Sequence, residues 1–254
     1  MPKSIGLAAS RNTNGLLRVN AIAANGPAVS AAIAATSEIP IVFVGGGDPV
    51  QRGPVASFNR PGGNITGVVQ FGGALGMKRV ELLRRFIPEA TEFVLLLNPN
   101  NPNAERVTAD VLSAAQRLRA QARVLRASTQ SELEATFGTL SGRRFIALLV
   151  SADPFFLSRR ELIARLAASS GVPAMYDFRE YVAAGGLISY GASLTEAYRQ
   201  VGSYVGRILG GESPADLPVL QATKFELIIN IRTAKELSLD VPDQFLALAD
   251  EVIE

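Results

Sequence analysis

The sequence predicts an α/β chain with parallel, doubly wound sheets, organised in two blocks. Short, wholly apolar runs alternate with amphipathic stretches along most of its length. Ser131, Ser158, Ser193 and Thr233 each stand three positions ahead of a Glu, the spacing of a helix capping box. The alternation closes near Pro88, where ELLRRFIPEAT joins a helix to a fresh strand, and then resumes to about Gly191. With 254 residues, 48% of them apolar, there is material for a substantial core and for two modest domains.

In order along the chain, Asn25-Gly26-Pro27 reads as a helix start with Pro27 at the first helical position, followed by AVSAAIAAT. Strands are expected at Ile39 to Val44, Asn64 to Val69, Glu92 to Leu97 and Arg123 to Ala127. Four more are expected at Phe145 to Val150, Val172 to Tyr176, Leu187 to Tyr190 and Phe225 to Ile231. Most are too short and too apolar to be anything but strands buried on both faces. Helices fall between them. Ser131 with Glu134, Ser158 with Glu161, Ser193 with Glu196, and Thr233 with Glu236 mark their starts. After Asn103 the stripe Val107, Val111, Ala114, Leu118 lies on one face. After Ser193 the stripe is Ala197, Val201, Tyr204, Val205, Ile208, ended by Gly210 and Gly211. The block boundary is expected at Ile87 to Thr91. That gives a first lobe of 1–88 with part of 192–254, and a second of 89–191 with the remainder.

Composition narrows the function. There are 25 basic and 23 acidic residues, a net charge of +2, and no basic cluster interleaved with aromatics, so nucleic acid is not an expected partner. The chain has no Cys and no His. Disulfides, thiolate nucleophiles, zinc-cysteine sites and His-based catalysis are therefore excluded, and neither a metal nor a cofactor is expected. No apolar run has the length of a signal peptide or a membrane span, so the chain reads as soluble and, as written, unexported.

Ligands of open parallel sheets bind beyond the carboxyl ends of the strands, so the residues just after each strand are the candidates. Asn25 precedes a helix start whose free N–H groups could hold a carboxylate, unless Asn25 only caps that helix. Asp48 and Asp153 each follow an apolar strand and precede a Pro. They could receive an ammonium or hydroxyl group, or each could cap the next turn. Asn98 opens the polar run Asn98-Pro99-Asn100-Asn101. Tyr176, Phe178, Tyr181 and Tyr190 could stack on a planar ligand group or belong to the core, and Glu180 shares their loop. The turn GGGDP is a poor phosphate cradle, because Asp48 follows Gly47 where a phosphate site needs Lys and Ser or Thr.

These residues carry a family likeness. The runs IPIVFVGGGDPVQRGPVASFNRPGGNITGV, KRVELLRRFIPEATEFVLLLNPNNPNA, LLVSADPFFLSRRELIARLAASSGVPAMYDFREYVAAGGLISYG and ADLPVLQATKFELIINIRTAKELSLDVP resemble the substrate-binding proteins of ABC transporters, tryptophan/tyrosine type. The resemblance covers about Asn25 to Glu254. It implies a type I periplasmic-binding fold, two Rossmann-like lobes closing on a small ligand. It also implies that Asp48, Asp153 and the YDFREY loop line the cleft. Expected partners are an amino acid or similar solute and the ABC permease and ATPase subunits, with a periplasmic location. The start departs from the family pattern: the first βα unit of lobe one is absent or replaced, with LLRVNAIAA its one possible strand. Dimerisation could cover the strand edges this exposes.

Two other readings remain at this point. One is a cytosolic ligand-sensing module on the same fold, which would need a partner chain. The other is a carboxylate-based hydrolase using paired acids. Trp is absent and only 5 Tyr are present, so platforms for sugars are sparse.

Overall fold

The computed structural model describes residues 6–11, 17–51, 53–70 and 73–254. The strands are β1 Gly6–Arg11, β2 Leu17–Asn25, β3 Ile41–Gly45, β4 Ile65–Val69, β5 Glu92–Leu97, β6 Gln121–Arg126, β7 Ile146–Val150, β8 Ala174–Tyr176, β9 Ile188–Ala192, β10 Leu220–Gln221, β11 Phe225–Asn230 and β12 Glu251–Ile253. The helices are α1 Pro27–Ala35, α2 Gly73–Phe86, α3 Ala104–Arg117, α4 Gln130–Gly138, α5 Pro154–Leu157, α6 Arg160–Ser169, α7 Arg179–Ala183, α8 Leu194–Leu209, α9 Ile231–Glu236 and α10 Asp243–Leu248. All eight strands read from apolar runs are present. The short strands β10 and β12 and the strand β1 have no such run and went unread.

Packing divides the chain into a first unit of Met1–Phe71 with Leu194–Thr223, and a second of Gly72–Ser193 with Lys224–Glu254. The pattern had drawn the boundary at Ile87 to Thr91. Burial of one helix face moves it: Val80, Leu83 and Phe86 of α2, with Ile87, lie in one apolar cluster with Phe93 and Leu95 of β5.

The first unit holds a sheet in the order β1-β2-β3-β4-β10. β2, β3, β4 and β10 run parallel, while β1 pairs antiparallel with β2. β2 starts inside LLRVNAIAA, the one strand expected of this stretch. Alternation sends Ile41 and Phe43 into one apolar cluster with Ala32 of α1, and Val42 and Val44 into another with Ala197, Val201 and Tyr204 of α8. Gly67 pairs with Phe43, and a Cβ on it would lie 2.2 Å from the Phe43 carbonyl oxygen. Only glycine permits that approach.

The second unit holds a sheet in the order β12-β11-β9-β8-β7-β5-β6, parallel except that β11 runs antiparallel to β9. One face is covered by α2 and α3, the other by a cluster containing Leu133, Phe137, Ile163, Ala167 and Tyr181. The edge strand β6 is only half-buried, and its Arg123 reaches Glu92 of β5 at 2.9 Å.

Three of the four expected capping boxes are displaced. The box at the start of α4 is Thr129 with Glu132, two residues ahead of Ser131 and Glu134. Ser158 ends α5 rather than starting a helix, and α9 is capped by Asn230 through the Thr233 N–H. The fourth fits, since α8 begins at the residue after Ser193. Among the described residues no helix is long and apolar enough to cross a membrane.

Candidate functional site

The carboxyl ends of the second unit's strands bring most of the candidates into one row. β5 runs into Asn98, β7 into Ser151-Ala152-Asp153, β8 into Asp177-Phe178, and Tyr190 lies within β9 next to Gly191. Asp153 is 5% exposed and its carboxylate is fully engaged. Oδ1 accepts from the Phe155 N–H at 2.9 Å, the Phe156 N–H at 3.3 Å and the Asn98 Nδ2 at 3.0 Å. Oδ2 accepts from Asn101 Nδ2 at 2.8 Å. Asp153 therefore caps α5 and anchors the loop after β5, with Asn98 Oδ1 accepting from the Asn100 N–H at 3.0 Å.

Asp177 belongs to the YDFREY loop expected at the cleft, although it was not singled out within it. It is 3% exposed, forms an ion pair with Arg79 of α2, and accepts from the Ala152 N–H. Arg79 Nε also donates to the Tyr190 carbonyl at 2.6 Å. Burial pushes the Asp177 carboxyl up and pulls the Arg79 guanidinium down from their ordinary values, and each charge opposes the other's shift. Asp177 did stand in a post-strand loop, so position could have found it. Arg79 had no signal, because KRVELLRRF reads as an ordinary charged helix face.

Of the four aromatic candidates, Tyr176 and Tyr181 belong to the core. Their rings stack on each other with centroids 4.6 Å apart, and burial raises both hydroxyls. Phe178 and Tyr190 are half-buried, and Tyr190 lies 6.2 Å from the Phe225 ring. Arg179 turns away to Glu251 at 2.6 Å, but Glu180 does not pair: its Oε2 is buried without a hydrogen-bond partner among the described residues. Ser151 Oγ, in the same row, is also buried and unpartnered.

In the first unit, Asn25 ends β2 but does not cap α1. Gly26 occupies the cap position without a side-chain bond, and Asn25 Nδ2 donates to the Tyr198 hydroxyl at 2.5 Å. Asp48 accepts from the Val50 and Gln51 N–H groups at 2.8 and 3.2 Å, so it closes the turn after Gly47. Among the described residues no group of three acids is placed to hold a metal ion.

A family model for ABC transporter substrate binding proteins matches residues 13–253, a span that takes in every one of these loops. The chain belongs to that family. A curated tyrosine-binding protein of Clostridioides difficile is 27% identical over 214 residues, 84% of this chain and 61% of that protein. The chain thus spans less than two thirds of this relative's length. A conserved domain protein of Vibrio cholerae superposes with a TM-score of 0.82 at 24% identity, covering 92% of this chain and 79% of the other. An ABC domain of Streptococcus pneumoniae in complex with L-Trp gives 0.79 at 23% identity, covering 93% and 81%. These last two establish likeness of fold, the type I periplasmic-binding architecture.

Proposed function

We propose that this chain, located outside the cytoplasmic membrane, is a solute-binding component of an ABC importer and works with its membrane permease and ATPase subunits. It binds its solute without turnover. The observation that carries the reading is the family match from residue 13 to 253, which includes the carboxyl-end loops of both sheets. The tyrosine-binding relative favours an aromatic amino acid as the ligand. On the second unit, Phe178 and Tyr190 are half-buried aromatics suited to a ring, and Glu180 offers an unpartnered carboxylate oxygen to an ammonium group.

Thermal unfolding with L-tyrosine, L-tryptophan and a panel of other amino acids tests this. A ligand at a hundred times its Kd stabilises by about 2.7 kcal/mol. For a chain of this size that is a rise of about 5–10 °C in Tm. No rise with any amino acid refutes the reading.

A further inference from the structure

We infer that Arg79 is a positioning residue for ligand binding: through Asp177 and the Tyr190 carbonyl it holds the carboxyl ends of β8 and β9 in their ligand-taking arrangement. The inference rests on the solute-binding reading above.

Three observations carry it. The Arg79 side chain is 11% exposed and that of Asp177 4%, so a helix contributes a desolvated cation to the end of the sheet. Its fork is divided between two strands, Nη1 to the Asp177 carboxylate just after β8, and Nε to a backbone carbonyl of β9. Only a planar, multiply donating group satisfies both at once, and a lysine ammonium cannot reproduce the geometry. Independently, β8 and β9 meet there without clearance. A Cβ on Gly191 would lie 1.8 Å from the Asp177 carbonyl oxygen and 3.3 Å from Arg79 Nη2. The residues fixed by this junction are those next to the candidate contacts, Phe178 and Glu180 on one side and Tyr190 on the other. Asp177 also accepts from the Ala152 N–H, so the junction extends to the end of β7 beside Ser151.

A scaffold role alone and a positioning role predict different outcomes. Removing one member of a buried ion pair leaves the other charge uncompensated, whereas replacing both with neutral groups relieves that cost. Arg79→Met and Asp177→Asn are therefore each expected to lower Tm, and the double variant to recover most of the loss. If Arg79 positions the binding edge, the double variant still binds L-tyrosine at least tenfold more weakly than wild type, by calorimetry on the folded protein. Arg79→Lys is expected to lose affinity similarly. Affinity that returns together with Tm in the double variant overturns the inference, as does wild-type affinity in Arg79→Lys. Should the single variants fail to fold, the double variant and Arg79→Lys decide it. A wild-type protein that binds no amino acid refutes the solute-binding reading instead.

Discussion

Replacing Asp153 with Ala should cost stability of a size that the geometry specifies. The carboxylate caps α5 by accepting from the Phe155 and Phe156 N–H groups, and loss of such a cap costs about 1 kcal/mol. The substitution also strips Asn98 Nδ2 of its acceptor. Asn98 is 8% exposed, and a buried amide left unsatisfied costs about 1–3 kcal/mol. Asn101 suffers less, because its Nδ2 keeps the Ala152 carbonyl at 3.0 Å. The expected total is about 2–4 kcal/mol, read in urea as a lower midpoint at unchanged slope. Asp153→Asn retains an acceptor for the cap and should cost less than Ala. If Asp153→Ala loses under about 0.5 kcal/mol, the range of an ordinary surface change, the carboxylate does not hold the loops as described. If it unfolds nothing but abolishes tyrosine binding, Asp153 contacts the ligand itself.

Gly67→Ala should destabilise by about 3 kcal/mol and reduce soluble yield, since the new methyl would meet backbone of β3 at 2.2 Å; a neutral effect would refute the β3–β4 packing. Phe145 is 58% exposed with φ at 59°, a conformation costing an L-residue roughly 1–2 kcal/mol, so Phe145→Asn should raise stability by about 0.5–1 kcal/mol. A loss in urea unfolding would mean that the ring packs against something. Burial raises the Tyr176 and Tyr181 hydroxyls, so the folded state holds those protons after an unfolded phenol, at about pH 10, has lost them. Their contribution to stability is complete below that pH and is lost as pH rises beyond it. Phenolate absorbance from these two should appear together with unfolding, and smooth ionisation in the folded protein would refute their burial. Glu180→Gln should weaken L-tyrosine binding about tenfold, or about 1.4 kcal/mol, while unchanged affinity would remove Glu180 from the ammonium site.

The fold was legible where one signal sufficed. An apolar run such as Ile41–Val44 or Phe93–Leu97 has no stable alternative to a strand buried on both faces, and every such run became one. The strands that escaped are those whose pairing comes from the fold: β10 is two residues beside β4, and β12 is three residues beside β11. Capping boxes misled because Ser or Thr three ahead of Glu recurs along charged helices. Thr129 outcompetes Ser131 at the start of α4 because both halves of its box close, Thr129 accepting from the Glu132 N–H and Glu132 accepting from the Thr129 N–H. The rule about carboxyl ends predicted where the candidates would stand, and Asn98, Asp153 and Phe178 do follow the ends of β5, β7 and β8. It could not say where each side chain would turn.

That last gap bears on how the ligand is recognised. Acids at strand ends invite the thought of an ammonium partner, yet two of the three in the second unit's row serve the protein itself. Asp153 is saturated by backbone and amide donors, and Asp177 is held by its ion pair with Arg79 and by the Ala152 N–H. A buried carboxylate needs such donors to remain charged at all, so scaffold use and ligand use compete for the same oxygens. Glu180 Oε2 is buried with neither a hydrogen bond nor an ion pair among the described residues, whereas the buried Asp177 Oδ1 has its ion pair with Arg79. Under the solute-binding reading proposed above, one carboxylate and two half-buried rings would suit an aromatic amino acid better than a polyamine or a dicarboxylate.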